Sequence, residues 1–374
     1  MGLTSNKVLL LAIVLAAALF VATVWLWPRL ARRSWRAVSG RVGLLLATQL
    51  ALFASLGIGA NQAFGFYADW ADLFGRETEQ GVVVDHSSGG GPGGPLQVLS
   101  TSSVPGVTGG PRTAGQIQRV AIVGRGSRIA SPAYVYLPPE YFQPRYRTRT
   151  FPAAVVLTGY PGTAQALVNK LHYPRTAQEL AKDGRVQPMI LVMLRPTVAP
   201  PRDTECVDVP GGPRTETFFA KDLPEAVLAH YRVGKRPGSW GVIGDSTGGY
   251  CALKLAMHHP GVYAAGAGLS PYYKAPVDPT TGDLFHGDRN LRDRADLWWV
   301  LKHAPAPDTS LLVTSSRVGE HNYRDTLRFI DRVKATNRTR ISSIILDSGG
   351  HNFNTWRREI PPTLQWISGR LSDR

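Results

Sequence analysis

One serine has the neighbours typical of a catalytic nucleophile. Ser246 lies in Gly244-Asp-Ser-Thr-Gly248, which fits the pattern Gly-x-Ser-x-Gly. The apolar segment 240–243 leads into this motif and a helix-compatible segment, 249–259, leaves it. This context predicts a sharp strand-to-helix turn that exposes the serine hydroxyl. The N-terminus of the helix favours negative charge developing there. The motif therefore predicts acyl transfer through Ser246.

A serine hydroxyl needs an adjacent base to take its proton, and His351 is the histidine best placed for this. In the arrangement that the motif predicts, the triad follows the order serine, acid, histidine along the chain. His351 follows the last predicted strand, 341–346, in the loop Asp347-Ser-Gly-Gly-His351. Most other histidines lie too early in the chain, and His321 is next to the predicted acid. We therefore assign His351 as the general base.

The acid of the triad should follow the penultimate strand, 310–314. Two carboxylates are candidates, Glu320 in the loop and Asp325 five residues later. Asp325 is at the predicted start of the next helix, where it can serve as a cap. Glu320 is therefore the preferred acid, and Asp325 is the alternative.

Two backbone N–H groups are needed to stabilise the oxyanion. One belongs to the residue after the nucleophile, Thr247. The other should come from the loop Thr158-Gly-Tyr-Pro-Gly-Thr163, which follows a strand. Proline has no N–H, so Pro161 is excluded and Tyr160 is the preferred donor.

The segments around these residues alternate between strands and helices. Segment 151–157 is almost wholly apolar, which is typical of a strand buried on both faces of a sheet. This alternation predicts a mostly parallel sheet covered by helices in a three-layer α/β domain. Together with the Gly-x-Ser-x-Gly turn, it predicts the α/β-hydrolase fold. Other predicted strands are 118–123, 133–137, 189–193, 240–243, 264–269, 310–314 and 341–346, and predicted helices are 176–183, 218–231, 249–259 and 324–336.

Two apolar segments precede this domain. Residues 8–27 form an unbroken apolar run that is long enough to cross a bilayer, and a second run covers about 42–66. A cleaved signal peptide is the alternative for the first run. The arginine cluster that follows it, where a small-residue cleavage site should be, favours two retained transmembrane helices.

Arginines between the two apolar runs predict the orientation. Five of them lie in the short connection, against Lys7 alone before the first run. Positive residues stay cytoplasmic, so the later domain should be extracytoplasmic. The expected organisation is a multi-pass membrane anchor at 1–75, a Gly/Pro/Ser-rich linker at 76–114 and the catalytic domain at 115–374. The arginines of the connection are Arg29, Arg32, Arg33, Arg36 and Arg41.

Cys206 and Cys251 are the two cysteines of the chain, and both belong to the outward domain. An even pair in an oxidising compartment is a disulfide candidate, with two free buried thiols as the alternative.

Charge and composition exclude other classes. The net charge of +15 is spread along the chain without a nucleic-acid-binding motif, so it fits an anionic membrane or cell wall better than nucleic acid. The chain has no His-Glu-x-x-His motif or tight His/Asp cluster, so neither a metal nor another cofactor is expected. Oligomeric state does not follow from the sequence.

The domain from about residue 116 resembles the esterase family that includes esterase D and the secreted mycobacterial mycolyltransferases. Matching segments span nearly the whole domain in the family's order. The resemblance implies serine acyl transfer with Ser246, Glu320 and His351 as the triad and backbone donors at Tyr160 and Thr247. Thr158 and Pro161 replace an acidic residue and an arginine that the mycolyltransferases usually use for trehalose, which argues against trehalose mycolylation. The matching segments are 135–141, 157–160, 244–249, Glu320, 349–351 and Trp356.

The leading hypothesis is a serine esterase or acyltransferase that acts on an acyl ester, such as a lipid or sugar ester of the cell envelope. The sequence leaves hydrolysis and transfer open, because water and an acceptor hydroxyl can both attack an acyl-enzyme. A non-catalytic envelope-binding protein that retains the hydrolase fold is the alternative. The presence of Ser246, Glu320 and His351 together favours the enzyme.

Overall fold

Two separate units make up the chain in the computed structural model, which describes residues 6–64, 94–198 and 202–372. One unit lies within residues 1–78 and the other within residues 79–374. The first is a pair of apolar helices, and the second is a sheet covered by helices.

The N-terminal unit consists of helices α1 (Asn6–Leu26) and α2 (Trp35–Phe64). Both are long and apolar enough to cross a membrane. Their large apolar side chains, such as Leu10 and Phe53, are mostly exposed, which is costly in water and favourable in lipid. The hydroxyls of Thr23 and Thr48 hydrogen-bond to each other across the pair at 2.9 Å.

The second unit is built on one sheet. Among the described residues its strand order is β1-β2-β3-β5-β4-β6-β7-β8-β9. Pairing is antiparallel from β1 to the β3–β5 pair and parallel from β5 to β9. The strands are β1 (Leu96–Ser102), β2 (Gln116–Val123), β3 (Ala130–Leu137), β4 (Ala153–Leu157), β5 (Ile190–Leu194), β6 (Trp240–Asp245), β7 (Ala265–Leu269), β8 (Ser310–Val318) and β9 (Arg340–Ser348).

Helices follow most of the parallel strands and cover the sheet. Two of them, Thr215–Thr217 and Leu223–His230, are joined by a π-helical turn at Phe218–Asp222. The helices of this unit are α3 (Pro111–Ala114), α4 (Ala164–Asn169), α5 (Tyr173–Lys182), α6 (Thr215–Thr217), α7 (Leu223–His230), α8 (Thr247–His258), α9 (Arg289–Arg294), α10 (Leu297–His303), α11 (Tyr323–Lys334) and α12 (Phe353–Ser368).

The apolar core lies on both faces of the sheet. Side chains of β4 alternate between two hydrophobic clusters, with Val155 in one and Val156 in the other, and both are fully buried. This two-sided burial explains why the strand is an unbroken apolar run in the sequence. The predicted three-layer fold with a mostly parallel sheet is confirmed.

The predicted linker needs a correction in its second half. Residues 76–93 lie outside the described part of the chain, but Leu96–Ser102 forms β1, which pairs with β2 at the edge of the sheet. Most of this strand is exposed and only Leu96 is fully buried. An exposed edge strand has few apolar residues in its sequence, so it lacks the pattern by which buried strands are predicted. The Gly/Pro-rich run directly before it favoured the prediction of a linker.

A disulfide joins the loop after β5 to α8. Cys206 and Cys251 are 5.7 Å apart between their Cα atoms and 45 residues apart in sequence. Both residues are fully buried. The bridge holds the loop against the helix that begins beside Ser246.

We expect this bridge to stabilise the catalytic unit by about 4 kcal/mol, because closing a loop of this length restricts the unfolded chain. The test is urea unfolding of the full chain in detergent, followed by tryptophan fluorescence. The Cys206→Ala/Cys251→Ala variant should unfold at lower urea than the oxidised wild type and be unaffected by a reducing agent. Equal midpoints for variant and wild type would contradict the expectation.

Candidate active site

Ser246 lies on a strained turn between β6 and α8. Its backbone has φ 53° and ψ −119°, a conformation that residues with a side chain rarely adopt. Both flanking positions must be glycine, because there is no room for a side chain. A Cβ at Gly244 would overlap the backbone of Gly248, and a Cβ at Gly248 would overlap the carbonyl of Leu157. The Ser246 N–H donates to the carbonyl of Leu269 on β7 at 2.9 Å.

His351 is the histidine that the structure brings to this serine. Its Nε2 lies 2.8 Å from the Oγ of Ser246, within hydrogen-bond distance. The ring packs edge-on against Trp356 of α12, with ring centroids 5.1 Å apart. The Gly350 N–H donates to Thr355 Oγ1 at 2.9 Å, which ties the histidine loop to the same helix.

His351 is exposed at the surface, yet the protein around its imidazole removes enough hydrating water to lower its pKa below the ordinary value of 6.5. The neutral ring therefore prevails at neutral pH. A neutral Nε2 can accept the serine proton, as a general base must.

Glu320 follows β8, as predicted, and is buried. Its Oε1 accepts a hydrogen bond from Ser270 Oγ, which also accepts from Trp356 Nε1 at 2.9 Å. Within the described residues no hydrogen bond joins Glu320 to His351, and Glu320 Oε2 has no partner. Burial raises the pKa of Glu320, and the hydrogen bond from Ser270 together with the polar groups of Ser315 and Ser316 opposes this effect.

The alternative acid, Asp325, is in the first turn of α11. It is exposed and lies 3.4 Å from Arg328 on the same helix. Such an exposed ion pair contributes little to stability.

The predicted oxyanion loop passes directly against the nucleophile. A Cβ at Gly159 would lie only 2.9 Å from the Cβ of Ser246. Tyr160 is the next residue of this loop, and Thr247 is the first residue of α8. Both predicted donors therefore belong to segments that border the serine.

Three buried acidic residues were not predicted from the sequence to belong to the site or its surroundings. Asp203 Oδ2 is 3.5 Å from Thr247 Oγ1, and burial raises the Asp203 pKa to about 6. The hydroxyl of Tyr272 donates to buried Glu205, with 2.6 Å to Oε2. Asp245 Oδ2 accepts the Gly159 N–H at 2.8 Å. Glu205 directly precedes Cys206 and Asp203 is three positions before it, so the predicted disulfide is the sequence signal that could have drawn attention to them.

No group of three or more His, Cys, Asp or Glu residues in the described part of the chain is arranged to hold a metal ion. The arrangement of serine and histidine instead supports proton abstraction from a hydroxyl nucleophile.

The fold and the serine on its strand-to-helix turn define an α/β-hydrolase of the esterase type. A family model named Esterase, described as "Putative esterase", matches residues 130–367, which is more than half of the chain. The protein belongs to this family, and the family resemblance expected from the motifs is confirmed. Membership supports an esterase or serine hydrolase activity on an ester substrate.

Known proteins similar to this chain are distant in sequence. An uncharacterized protein of Corynebacterium glutamicum is 24% identical over 250 residues, which are 64% of this chain and 58% of that protein. The match thus spans less than two thirds of the relative's length.

Solved structures share the fold. A ferulic acid esterase has a TM-score of 0.59 at 17% identity, with 69% of this chain and 98% of that chain covered. An S-formylglutathione hydrolase from Agrobacterium tumefaciens has a TM-score of 0.56 at 18% identity, with 74% and 99% covered. The fluorophosphonate-binding serine hydrolase F of Staphylococcus aureus has a TM-score of 0.56 at 16% identity, with 68% and 98% covered.

We expect Gly159→Ala to reduce kcat/KM for a short ester by about 100-fold, because the added methyl must displace the oxyanion loop from Ser246. Gly261→Ala is the matched control, since a Cβ there meets nothing within 4 Å. The measurement is steady-state hydrolysis of p-nitrophenyl acetate by folded protein. Equal losses in both variants would show that the contact with Ser246 is not the cause.

Proposed function

We propose that this protein is a serine esterase or acyltransferase in which Ser246 is the nucleophile and His351 the general base. The observation that carries the proposal is the 2.8 Å separation of Ser246 Oγ and His351 Nε2. The strained turn at Ser246 and the lowered pKa of His351 support the same roles.

The reaction would proceed through a covalent acyl-enzyme. His351 takes the proton of Ser246 as Oγ attacks the ester carbonyl, and the N–H groups of Thr247 and Tyr160 stabilise the oxyanion. The protonated His351 then gives its proton to the leaving alcohol. In the second half, His351 activates water or an acceptor hydroxyl, which releases the acyl group and regenerates Ser246.

Glu320 is proposed as the acid that orients His351. Its Oε2 is buried without a hydrogen-bond partner among the described residues, and such an atom favours pairing with a donor. The Nδ1–H of His351 is the donor that a triad would supply. Trp356 contacts both the His351 ring and, through Ser270, the Glu320 carboxylate, so the two side chains belong to one packed cluster.

The proposed substrate is an acyl ester of the cell envelope, carried by a lipid or a sugar. The two apolar helices support it, because retained helices would keep the catalytic unit at a membrane. With the arginine-rich connection in the cytoplasm, this unit would face outward, and the disulfide fits an oxidising compartment.

Replacement of Ser246 by alanine should lower hydrolysis of p-nitrophenyl esters by more than about 1,000-fold, and His351→Ala should do nearly the same. Glu320→Gln should cost less, since this side chain only orients the imidazole. A greater loss in Asp325→Ala than in Glu320→Gln would overturn the choice of acid, and full activity of Ser246→Ala would overturn the mechanism.

In wild type, kcat/KM should reach half its maximum on the acid side at a pH below 6.5, because the neutral His351 persists to lower pH.

Topology is tested by adding protease to intact spheroplasts that express the full chain with a C-terminal epitope. We expect loss of the epitope, because the catalytic unit should be outside the cytoplasmic membrane. A cytoplasmic marker protein should survive the same treatment. An epitope that is cut only after detergent lysis would contradict the proposed orientation.

A further inference from the structure

Asp245, the residue before the nucleophile, is a buried acid for which the mechanism above has no role. It closes β6 and is 1% exposed. Its Oδ2 accepts the N–H of Gly159 at 2.8 Å, while its Oδ1 has no hydrogen-bond partner among the described residues. A buried carboxyl with one unpaired oxygen is unfavourable for stability alone.

The hydrogen bond from Gly159 to Asp245 links the two segments that carry the proposed oxyanion donors. Gly159 precedes Tyr160, the proposed donor of the loop after β4, while Asp245 precedes Ser246 and the other donor, Thr247. A Cβ at Gly159 would be 2.9 Å from Ser246 Cβ and 3.2 Å from Asp245 Oδ2. Gly159 is thus the residue of the loop that lies against Ser246, and it is also the residue whose N–H donates to the Asp245 carboxyl.

We propose that Asp245 is a positioning residue, whose carboxyl holds the Gly159 amide and thereby fixes the oxyanion loop against Ser246, and that it does so as the neutral acid. This inference rests on the proposed function, because it assigns a role in the reaction of Ser246. The proposed role requires no contact between the substrate and either Asp245 or Gly159.

The surroundings of Asp245 favour the neutral form. Burial raises its pKa to about 7, and the Gly159 N–H opposes this effect. The acidic groups that interact with it are Tyr173 on α5 and Glu359 on α12, and burial raises the pKa of both. The flanking strands β4 and β7 carry no ionisable side chain, and the proposed oxyanion loop contributes only Tyr160. Helix α8 contributes Tyr250, Lys254 and His258, whose polar atoms pair with Ala295, Cys206 and Glu216.

Ionisation of Asp245 should work against catalysis. A negative carboxylate one residue from Ser246 repels the negative charge that develops on the ester oxygen, and the burial of Asp245 reduces the screening of this repulsion by water. Activity should therefore fall as the pH rises through about 7, where Asp245 loses its proton. This alkaline decline is separate from the acid-side decline caused by protonation of His351.

Two substitutions separate the hydrogen bond from the charge. Asp245→Asn keeps a side-chain oxygen for the Gly159 N–H and cannot ionise, so it should retain kcat within about threefold at pH 6 and lose the alkaline decline. Asp245→Ala removes the acceptor and should lower kcat about 10- to 100-fold at every pH, as the loop loses its fixed position. KM for p-nitrophenyl acetate should change much less than kcat in both variants.

Glu359→Gln is the matched control. Glu359 is also fully buried, burial raises its pKa to about 8, and its Oε2 accepts a hydrogen bond from Thr314 Oγ1 at 2.8 Å. Glu359→Gln therefore removes another buried acid while leaving the Asp245–Gly159 hydrogen bond in place. The control should keep both the kcat of wild type and its alkaline decline.

The experiment measures kcat and KM from pH 5 to 9 for the full chain in detergent, with each variant first shown to be folded by its melting temperature. The proposal is overturned if Asp245→Asn keeps the alkaline decline, or if folded Asp245→Ala matches wild type in kcat. If Asp245→Ala does not fold, the pH profile of Asp245→Asn alone decides. Inactive wild type would instead contradict the proposed function.

Discussion

The backbone of Ser246 is the constraint on which the rest of the site depends. Its φ of 53° is unfavourable for a residue with a side chain, so surrounding structure must hold it. β6 lies between β4 and β7 inside the sheet, and the Ser246 N–H bonds to Leu269 at the end of β7. Gly244 and Gly248 leave space for the turn. A strained serine is thus held by the most buried part of the molecule.

The other parts of the site arrive from separate elements at the same edge of the sheet. The oxyanion loop follows β4, Glu320 follows β8 and His351 follows β9. Because these strands are parallel, their carboxyl ends meet at one edge, where open α/β sheets place their ligands. The disulfide adds the loop after β5 to this assembly through α8. Residues far apart in sequence therefore meet at one edge of the sheet.

Sequence reasoning recovered the elements whose signal is local. Buried strands such as β4 are continuous apolar runs, and Gly-x-Ser-x-Gly marks a turn with fixed steric demands. The edge strand β1 was missed because it is mostly exposed. Helix α12 was not predicted, and the Pro361-Pro362 pair within it is unusual inside a helix. Asp245 was not predicted because it occupies a variable position of the motif, and its proposed role depends on a contact with a residue 86 positions away.

The central claim is that Ser246 is an activated nucleophile, and covalent labelling tests it most directly. Full-length protein in detergent should react with a fluorophosphonate probe, since only an activated serine attacks its phosphorus at a useful rate. Mass spectrometry of the digested protein should find the probe on Ser246, and Ser246→Ala should stay unlabelled. Folded wild-type protein that remains unlabelled, or a probe attached to another residue, would contradict the account.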